Sequence, residues 1–473
     1  MIVGRGEEFR VEMRLRVTPM EPPLMHEVPL PASAARMQRA LILASVARGE
    51  SWIETGDGCT PPAVHNTAEA LKRLGASIVR RTDGYVVDGG DLWLRHPDQH
   101  IYLGDPDCGA LPWILAMGAR VQNGPVVFEP HPGRLAYPVT ALVKALEAIG
   151  LHFSVDATSK SVRAFPGQPE GGAINLSPLL SRWVSSVLMV APLARAPVTI
   201  KLADTFSAGA DAIVTTQLLR RFGIFVDSDE SRGWWRLDAP QTYRAAQVDA
   251  CPDPWVAAFV LALTAAQPGT TEIVRGRHAL PSLMERLVTI LREMGVAISN
   301  NQDGGTIGVR NPGRLVGTTV DVDGMAQVVP LLMTLGATAS GTTVLRSRQP
   351  LFNLPASIEF QRALRQMGAE VVPVPASGGR RLTVLGVDRL QGGDLPAMLD
   401  AHHFMGLLLA AITADRPSTL PPEWSFLATY SELTALIRAQ GMKMKLETFS
   451  TASQPPEPVL SAATLRGASI LPN

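Results

Sequence analysis

Cysteine is scarce in this chain: Cys59, Cys108 and Cys251 are the only three. An odd number at wide spacing excludes a disulfide framework and offers no zinc-ligand pattern. Charge is scarce as well. Only 18% of the residues are charged, and 43 Lys and Arg balance 43 Asp and Glu to a net of zero. The basic footprint that nucleic-acid binding needs is therefore missing, and nucleic acid is not an expected partner. No apolar run is long enough to cross a bilayer, which takes about 20 residues; the longest lies near Trp255 to Ala266. The N-terminus, Met-Ile-Val-Gly-Arg-Gly-Glu-Glu-Phe-Arg, has no apolar signal core. A cytoplasmic protein without membrane contact is the expectation. A Gly-rich phosphate loop, a dinucleotide fingerprint and a HExxH pattern are all missing, so neither a cofactor nor a metal is expected.

What the chain does have is apolar bulk and turn residues. Apolar residues make up 46%, with 41 Gly and 38 Pro, which suits a large core built from many short elements. Those elements repeat. Ala70-Leu-Lys-Arg-Leu-Gly75, Ala145-Leu-Glu-Ala-Ile-Gly150, Leu218-Leu-Arg-Arg-Phe-Gly223, Ile290-Leu-Arg-Glu-Met-Gly295, Ala363-Leu-Arg-Gln-Met-Gly368 and Leu436-Ile-Arg-Ala-Gln-Gly441 are alike, and their glycines are spaced by 75, 73, 72, 73 and 73 residues. Each reads as an amphipathic helix closed by a glycine that takes the left-handed conformation. Between them a more apolar helix turns into a β-branched strand, as in Gln267-Pro-Gly-Thr-Thr-Glu-Ile and Ser340-Gly-Thr-Thr-Val-Leu. The apolar helix belongs inside and the amphipathic one outside. Units of this length exceed tetratricopeptide or ankyrin repeats and suit a small βαβαββ fold.

Six such units resemble the enolpyruvyl transferase family, and within it the 5-enolpyruvylshikimate-3-phosphate (EPSP) synthase branch. The likeness covers about Met13 to Leu446. It is carried by Leu30-Pro-Ala-Ser-Ala-Ala-Arg-Met-Gln-Arg-Ala-Leu-Ile-Leu-Ala-Ser, Gly104-Asp-Pro-Asp-Cys-Gly-Ala-Leu-Pro, Ser181-Arg-Trp-Val-Ser-Ser-Val-Leu-Met-Val-Ala-Pro-Leu-Ala and Ser340-Gly-Thr-Thr-Val-Leu-Arg. The resemblance implies an α/β fold, a two-domain inside-out α/β barrel built from six βαβαββ repeats. Residues 31–245 would form the first three-repeat domain and 246–447 the second, with the strand region 13–29 packing on the second. The Ser-, Pro- and Ala-rich tail 448–473 would be a loose end. The chain would cross between domains near Pro29 to Pro31 and near Tyr243 to Val248. Inner helices would aim their N-termini at the cleft from near Ser33, Asp105, Ser177, Asp249, Asp321 and Asp400, making a site that attracts anions.

The departures from the family fall on its chemistry. The lysine and serine of its first motif are replaced by Ala34 and Ala35, while its arginine survives as Arg39. The Asn-Ala-Gly-Thr motif becomes Asp105-Pro106-Asp107-Cys108, and two further arginine positions hold Leu111 and Tyr137. Ser-Ser-Gln becomes Leu180-Ser181-Arg182. The general-base aspartate aligns with Gln327, the Lys-Glu pair with Phe352 and Asn353, and its following arginine with Ala356. Asp-His-Arg becomes Asp400-Ala401-His402, and the last lysine aligns near Trp424. Phosphoenolpyruvate needs several Arg or Lys forks for its phosphate and carboxylate, and an acid and a base at its double bond.

The expected partner is thus a small anionic molecule in an interdomain cleft, bound by a monomer or homodimer. Arg39 and Arg182 are candidates to hold its anionic groups; internal ion pairing is the alternative for Arg39. Ser181 and Ser207 match positions near the acceptor's phosphate, with capping as the plain alternative. Gln327, His131 and Arg134 complete the substrate-binding set, the last two on a loop that closes over ligand in the family. The catalytic candidates are His402, as an imidazole near the cleft, and Asp107, Asp253 and Asp321, each also a natural N-cap. Cys108 shares a helix start with Asp105 and Asp107, where a helix dipole lowers a thiol pKa. Elimination of water or phosphate from a shikimate-type acid is the leading expectation, in a secondary-metabolite pathway. Carboxyvinyl transfer to an altered acceptor is the first alternative, and a non-catalytic binding protein the second.

Overall fold

The computed structural model describes residues 9–20, 27–55, 62–89, 97, 100–102, 124–129, 139–156, 158, 161–176, 184–202, 209–229, 233–274, 282–301, 305–311, 313–376, 379–398, 401–423, 426–427 and 430–452.

One unit shows why the sequence repeats. Strand Thr319–Asp321 leads into the helix Val329–Thr338, whose residues from Val329 to Ala337 are all buried. Strand Thr342–Ser347 returns parallel to the first, with Val320 opposite Leu345. The helix Pro355–Gln366 follows, burying only one face through Phe360, Ala363 and Leu364. A hairpin of Glu370–Ala376 and Gly379–Leu385 then closes a four-stranded sheet, the hairpin's second strand lying beside Thr342–Ser347. The apolar helix is inside and the amphipathic one outside, as the hydrophobic pattern requires.

All six outer helices end alike. Ala76, Leu151, Ile224, Val296, Ala369 and Met442 each donate their backbone N–H to the carbonyl five residues earlier, at 2.9–3.3 Å. The residue before each is the repeat glycine, with φ between 79° and 98°. This is the Schellman closure, and a side chain at that φ would clash with its own carbonyl.

Two hydrophobic cores form. One runs from Ala34 to Val248; the other takes Leu15, Val17 and Val28 together with residues from Trp255 to Met444. First strands are exchanged between halves. Glu27–Pro29 pairs in parallel with the strand Gly269–Val274, which belongs to the second core. Gln247–Val248 pairs in parallel with Trp52 and Ile53 of the strand Glu50–Glu54, in the first. The later crossing therefore begins after Val248, slightly beyond the expected stretch, because that strand still completes the first unit's sheet.

The sixth unit is closed by the N-terminus. Phe9–Val17 lies between Ser418–Leu420 and Met444–Ala452, antiparallel to both. Residues 448–452, expected in a loose tail, are instead strand, since Phe9–Met13 supply them with a hydrogen-bonding edge. The remainder of that tail, 453–473, lies outside the described residues. No described helix is long and apolar enough to cross a membrane.

Candidate functional site

The two crossings meet, and their meeting point is built from helix caps. Ala32 and Pro252 form an antiparallel bridge, Ser33 N donates to Cys251 O at 2.8 Å and Asp253 N to Pro31 O at 3.2 Å. Ser33 caps the inner helix Ala34–Ala44, its hydroxyl accepting from Arg36 N at 3.3 Å. Asp253 caps the inner helix Pro254–Ala266, one carboxylate oxygen accepting from Trp255 N at 2.9 Å and Val256 N at 3.2 Å. The other oxygen accepts the Ser33 hydroxyl at 2.8 Å. One inner-helix N-terminus from each half is thus tied to the other through a buried pair. The positive ends of the two helix dipoles meet there.

In the second half three inner helices gather. The ring of Trp255, on the first turn of Pro254–Ala266, stands edge-to-face with that of His402 at 5.0 Å between centroids and 81°. His402 is the second residue of the inner helix Ala401–Ile412 and is half-buried. That helix touches Val329–Thr338 closely: Gly406 packs on Pro330, and Thr334 donates its hydroxyl to Gly406 O at 3.1 Å.

The candidates from sequence fall into four groups. Arg39 lies within the inner helix of the first half at 3% exposure and donates one N–H to Ala35 O at 2.9 Å. His402 and the half-buried Gln327, on the short turn Ala326–Val328, sit at the N-termini of two inner helices of the second half. Asp253 is held in capping, as described, with both oxygens engaged. Asp321 is exposed at the end of its strand and accepts from Asp323 N at 2.9 Å. It does not cap the helix that follows, which starts at Val329 after an uncapped turn. Asp249, expected at a helix start, stands four residues too early and pairs with Arg221 at 3.6 Å instead. Asp107, Ser181, Arg182, Ser207, His131 and Arg134, with Asp105, Cys108, Tyr137, Asp400 and Trp424, lie outside the described residues.

Three residues here were not singled out by sequence reasoning. Trp255 read only as part of an apolar run. Arg36 is half-buried beside the crossing; burial lowers its pKa, and Cys251 and Asp249 work against that while Arg221 adds to it. Asp323 accepts from Ser347 Oγ at 2.8 Å and pairs with Arg348 at 2.6 Å. Burial pushes its pKa up, but the bonds from Arg348 and Ser347 outweigh this and hold it below the ordinary value. Among the described residues no cluster of three or more His, Cys, Asp or Glu is placed to hold a metal.

Cys251, also at the crossing, has its thiol pKa raised by burial, with Arg36 only partly offsetting this. Its thiolate fraction at neutral pH is therefore small, and alkylation should be slower than for a free thiol. Peptide mass spectrometry after a timed iodoacetamide pulse checks this; rapid labelling of Cys251 at pH 7 would contradict it.

The family model of EPSP synthase (3-phosphoshikimate 1-carboxyvinyltransferase) matches residues 20–420. Curated relatives carry the name 3-phosphoshikimate 1-carboxyvinyltransferase. One from Methanococcus vannielii is 21% identical over 428 residues, covering 88% of this chain and 96% of its own. Another from Clostridium kluyveri is 24% identical over 393 residues, covering 82% and 88%. A third from Halobacterium salinarum is 25% identical over 408 residues, covering 82% and 90%. Among solved structures, EPSP synthase from Acinetobacter baumannii superimposes with a TM-score of 0.69 at 17% identity, covering 92% of this chain and all of that one. The two share the fold.

Proposed function

The chain belongs to the EPSP synthase family, and from that premise we propose that it is an enzyme acting on a shikimate-type cyclic acid, or the phosphate of one, in the cleft between its two halves. We further propose that it eliminates water or phosphate from the ring. A division into two three-repeat domains is part of the same proposal, with the boundary moved from 245/246 to after Val248; the two separate cores support it.

The observation that carries the elimination reading is the chemistry at the donor positions. Where the family resemblance calls for cations and carboxylates, the described residues are Ala34, Gln327, Phe352, Asn353 and Ala356. Phe352 is only 1% exposed, an apolar ring in place of a lysine. None of these binds the phosphate or carboxylate of phosphoenolpyruvate by charge. A surviving buried arginine, Arg39, supports retention of an anionic ring substrate, with Arg182, Ser181 and Ser207 as its proposed companions.

Elimination asks less of a site than transfer does. A ring C–H proton passes to a base, its electron pair forms the ring double bond, and the C–O bond breaks. Phosphate leaves as the anion; a hydroxyl leaves as water by taking up the proton that the base has removed from the ring. His402 is the base in this reading, since Asp253 is occupied in capping and Asp321 in its turn. Closure of the two halves would exclude water.

Carboxyvinyl transfer is the second reading, favoured by the name that the relatives above share. Incubation with shikimate and with shikimate 3-phosphate, with and without phosphoenolpyruvate, separates the two by mass spectrometry. Loss of water or phosphate from the ring without phosphoenolpyruvate supports elimination. Phosphate release that requires phosphoenolpyruvate supports transfer, and no turnover with any of these sinks the substrate class. For Arg39→Ala, KM should rise about tenfold or more, since a hydrogen bond to a charged group is worth about 1.5–3 kcal/mol. Unchanged steady-state kinetics in a folded Arg39→Ala variant would assign that arginine to packing and leave a binding-only protein as the stronger case.

A further inference from the structure

We infer that Trp255 is a positioning residue for His402, fixing its imidazole from the point where the two halves of the molecule are tied together. The inference rests on the reading of His402 as the reacting base.

The two rings differ in how firmly they are held. Trp255 follows Pro254, whose ring fixes the backbone at the start of its helix. The Trp255 N–H is bonded to Asp253, and the same carboxylate receives the Ser33 hydroxyl from the other crossing segment. Trp255 is 8% exposed. It is therefore anchored by a proline, a cap and an interdomain bond within three residues.

His402 is placed differently. Helical side chains lean back over the preceding turn, and as the second residue of its helix His402 has no such turn, so its ring meets contacts from outside the helix. Such a contact comes from Trp255, ring against ring at 5.0 Å and 81°, the edge-to-face arrangement that aromatic quadrupoles favour. The neighbouring His403 goes elsewhere: its ring meets Phe360 at 5.7 Å and 67°. Adjacent residues on a helix point in different directions, and here each histidine has its own aromatic wall. Only the wall of His402 is attached to the crossing. An imidazole that takes a proton from a bound ring must be held to a fraction of an ångström, and misplacement by about 1 Å can cost as much as 100-fold in rate. A rigid indole does this without competing for the proton.

The test uses the full chain with carbon-13 in its histidine rings, as the unmodified protein and as Trp255→Leu, Trp255→Phe and His402→Gln. The His402 signal, identified by its loss in His402→Gln, is expected to show the ring-current displacement of indole contact. It should lose that displacement in Trp255→Leu and keep part of it in Trp255→Phe. In turnover, Trp255→Leu should lower kcat about tenfold with KM within about twofold, and Trp255→Phe should recover most of the loss. A signal that stays in place in folded Trp255→Leu overturns the inference. Should that variant fail to fold, Trp255→Phe decides: an unmoved signal there overturns it equally. Full turnover by His402→Gln sinks the reading of His402 as base instead. The two failures are told apart because the ring signal does not depend on turnover.

Discussion

Replacing Asp253 by alanine is expected to lower the stability of the protein by about 2–4 kcal/mol. Two separate losses add. The first is the cap: two backbone N–H groups, of Trp255 and Val256, lose their acceptor at the start of a helix that is buried along almost its whole length. Loss of an Asp cap costs about 0.5–2 kcal/mol, and the upper part of that range applies because water cannot easily replace the carboxylate. The second is the Ser33 hydroxyl, left without its buried acceptor, at about 1–3 kcal/mol. The two terms share one side chain, so they need not sum fully. Ser33→Ala alone should cost about 1 kcal/mol, through the cap of the Ala34–Ala44 helix. In the Asp253→Ala background it should cost less, since the hydroxyl no longer has its carboxylate partner. Chemical denaturation of the four proteins forms the cycle. A coupling energy of zero would mean that the bond between the two crossings does no more than fill space.

The fold was legible because its signal is periodic and local. Gly75, Gly150, Gly223, Gly295, Gly368 and Gly441 mark the ends of the outer helices, and every one of them has the positive φ that its place in the pattern requires. Apolar helices read as buried, and those among the described residues are. What escaped was non-local. The family likeness placed 13–29 on the second half, but nothing near Glu27 announces that its strand will pair beside Gly269–Val274, more than two hundred residues on, or near Gln247 that its strand belongs beside Glu50–Glu54. The same limit shifted the later crossing. At the site, a run of apolar residues disguised Trp255, whose importance lies in a ring on another helix. The aspartates were the least legible. Asp249, Asp253 and Asp321 each precede an apolar helix, yet only Asp253 has the backbone geometry to cap one. Capping depends on where the helix begins, and sequence patterns place helix ends only to within a few residues.

Substituting Gly406 should be the more damaging change to the second half of the molecule. Gly406 lies within the inner helix Ala401–Ile412, where glycine is normally a cost; on propensity alone alanine would gain about 1 kcal/mol. The packing reverses the sign. A Cβ at this position would stand 2.6 Å from Cβ of Pro330, 2.9 Å from Cζ of Phe360 and 3.0 Å from the Pro330 carbonyl carbon. None of these can yield cheaply. Pro330 is a rigid ring in the first turn of Val329–Thr338, Phe360 is fully buried, and Gly406 O is itself held by the Thr334 hydroxyl. Overpacking of a tight core costs about 1–3 kcal/mol and occasionally more, so Gly406→Ala should lose about 1–2 kcal/mol net and Gly406→Val at least about 3. The second value carries a functional consequence. To make room, the helix must move away from Val329–Thr338, and His402 stands one turn from the displaced residue. Turnover should then fall along with the melting temperature, whereas a core substitution remote from the inner helices should affect melting alone. Melting curves and steady-state rates for the two variants test this together. An unchanged melting temperature in Gly406→Val would show that the helices do not meet as closely as this glycine implies.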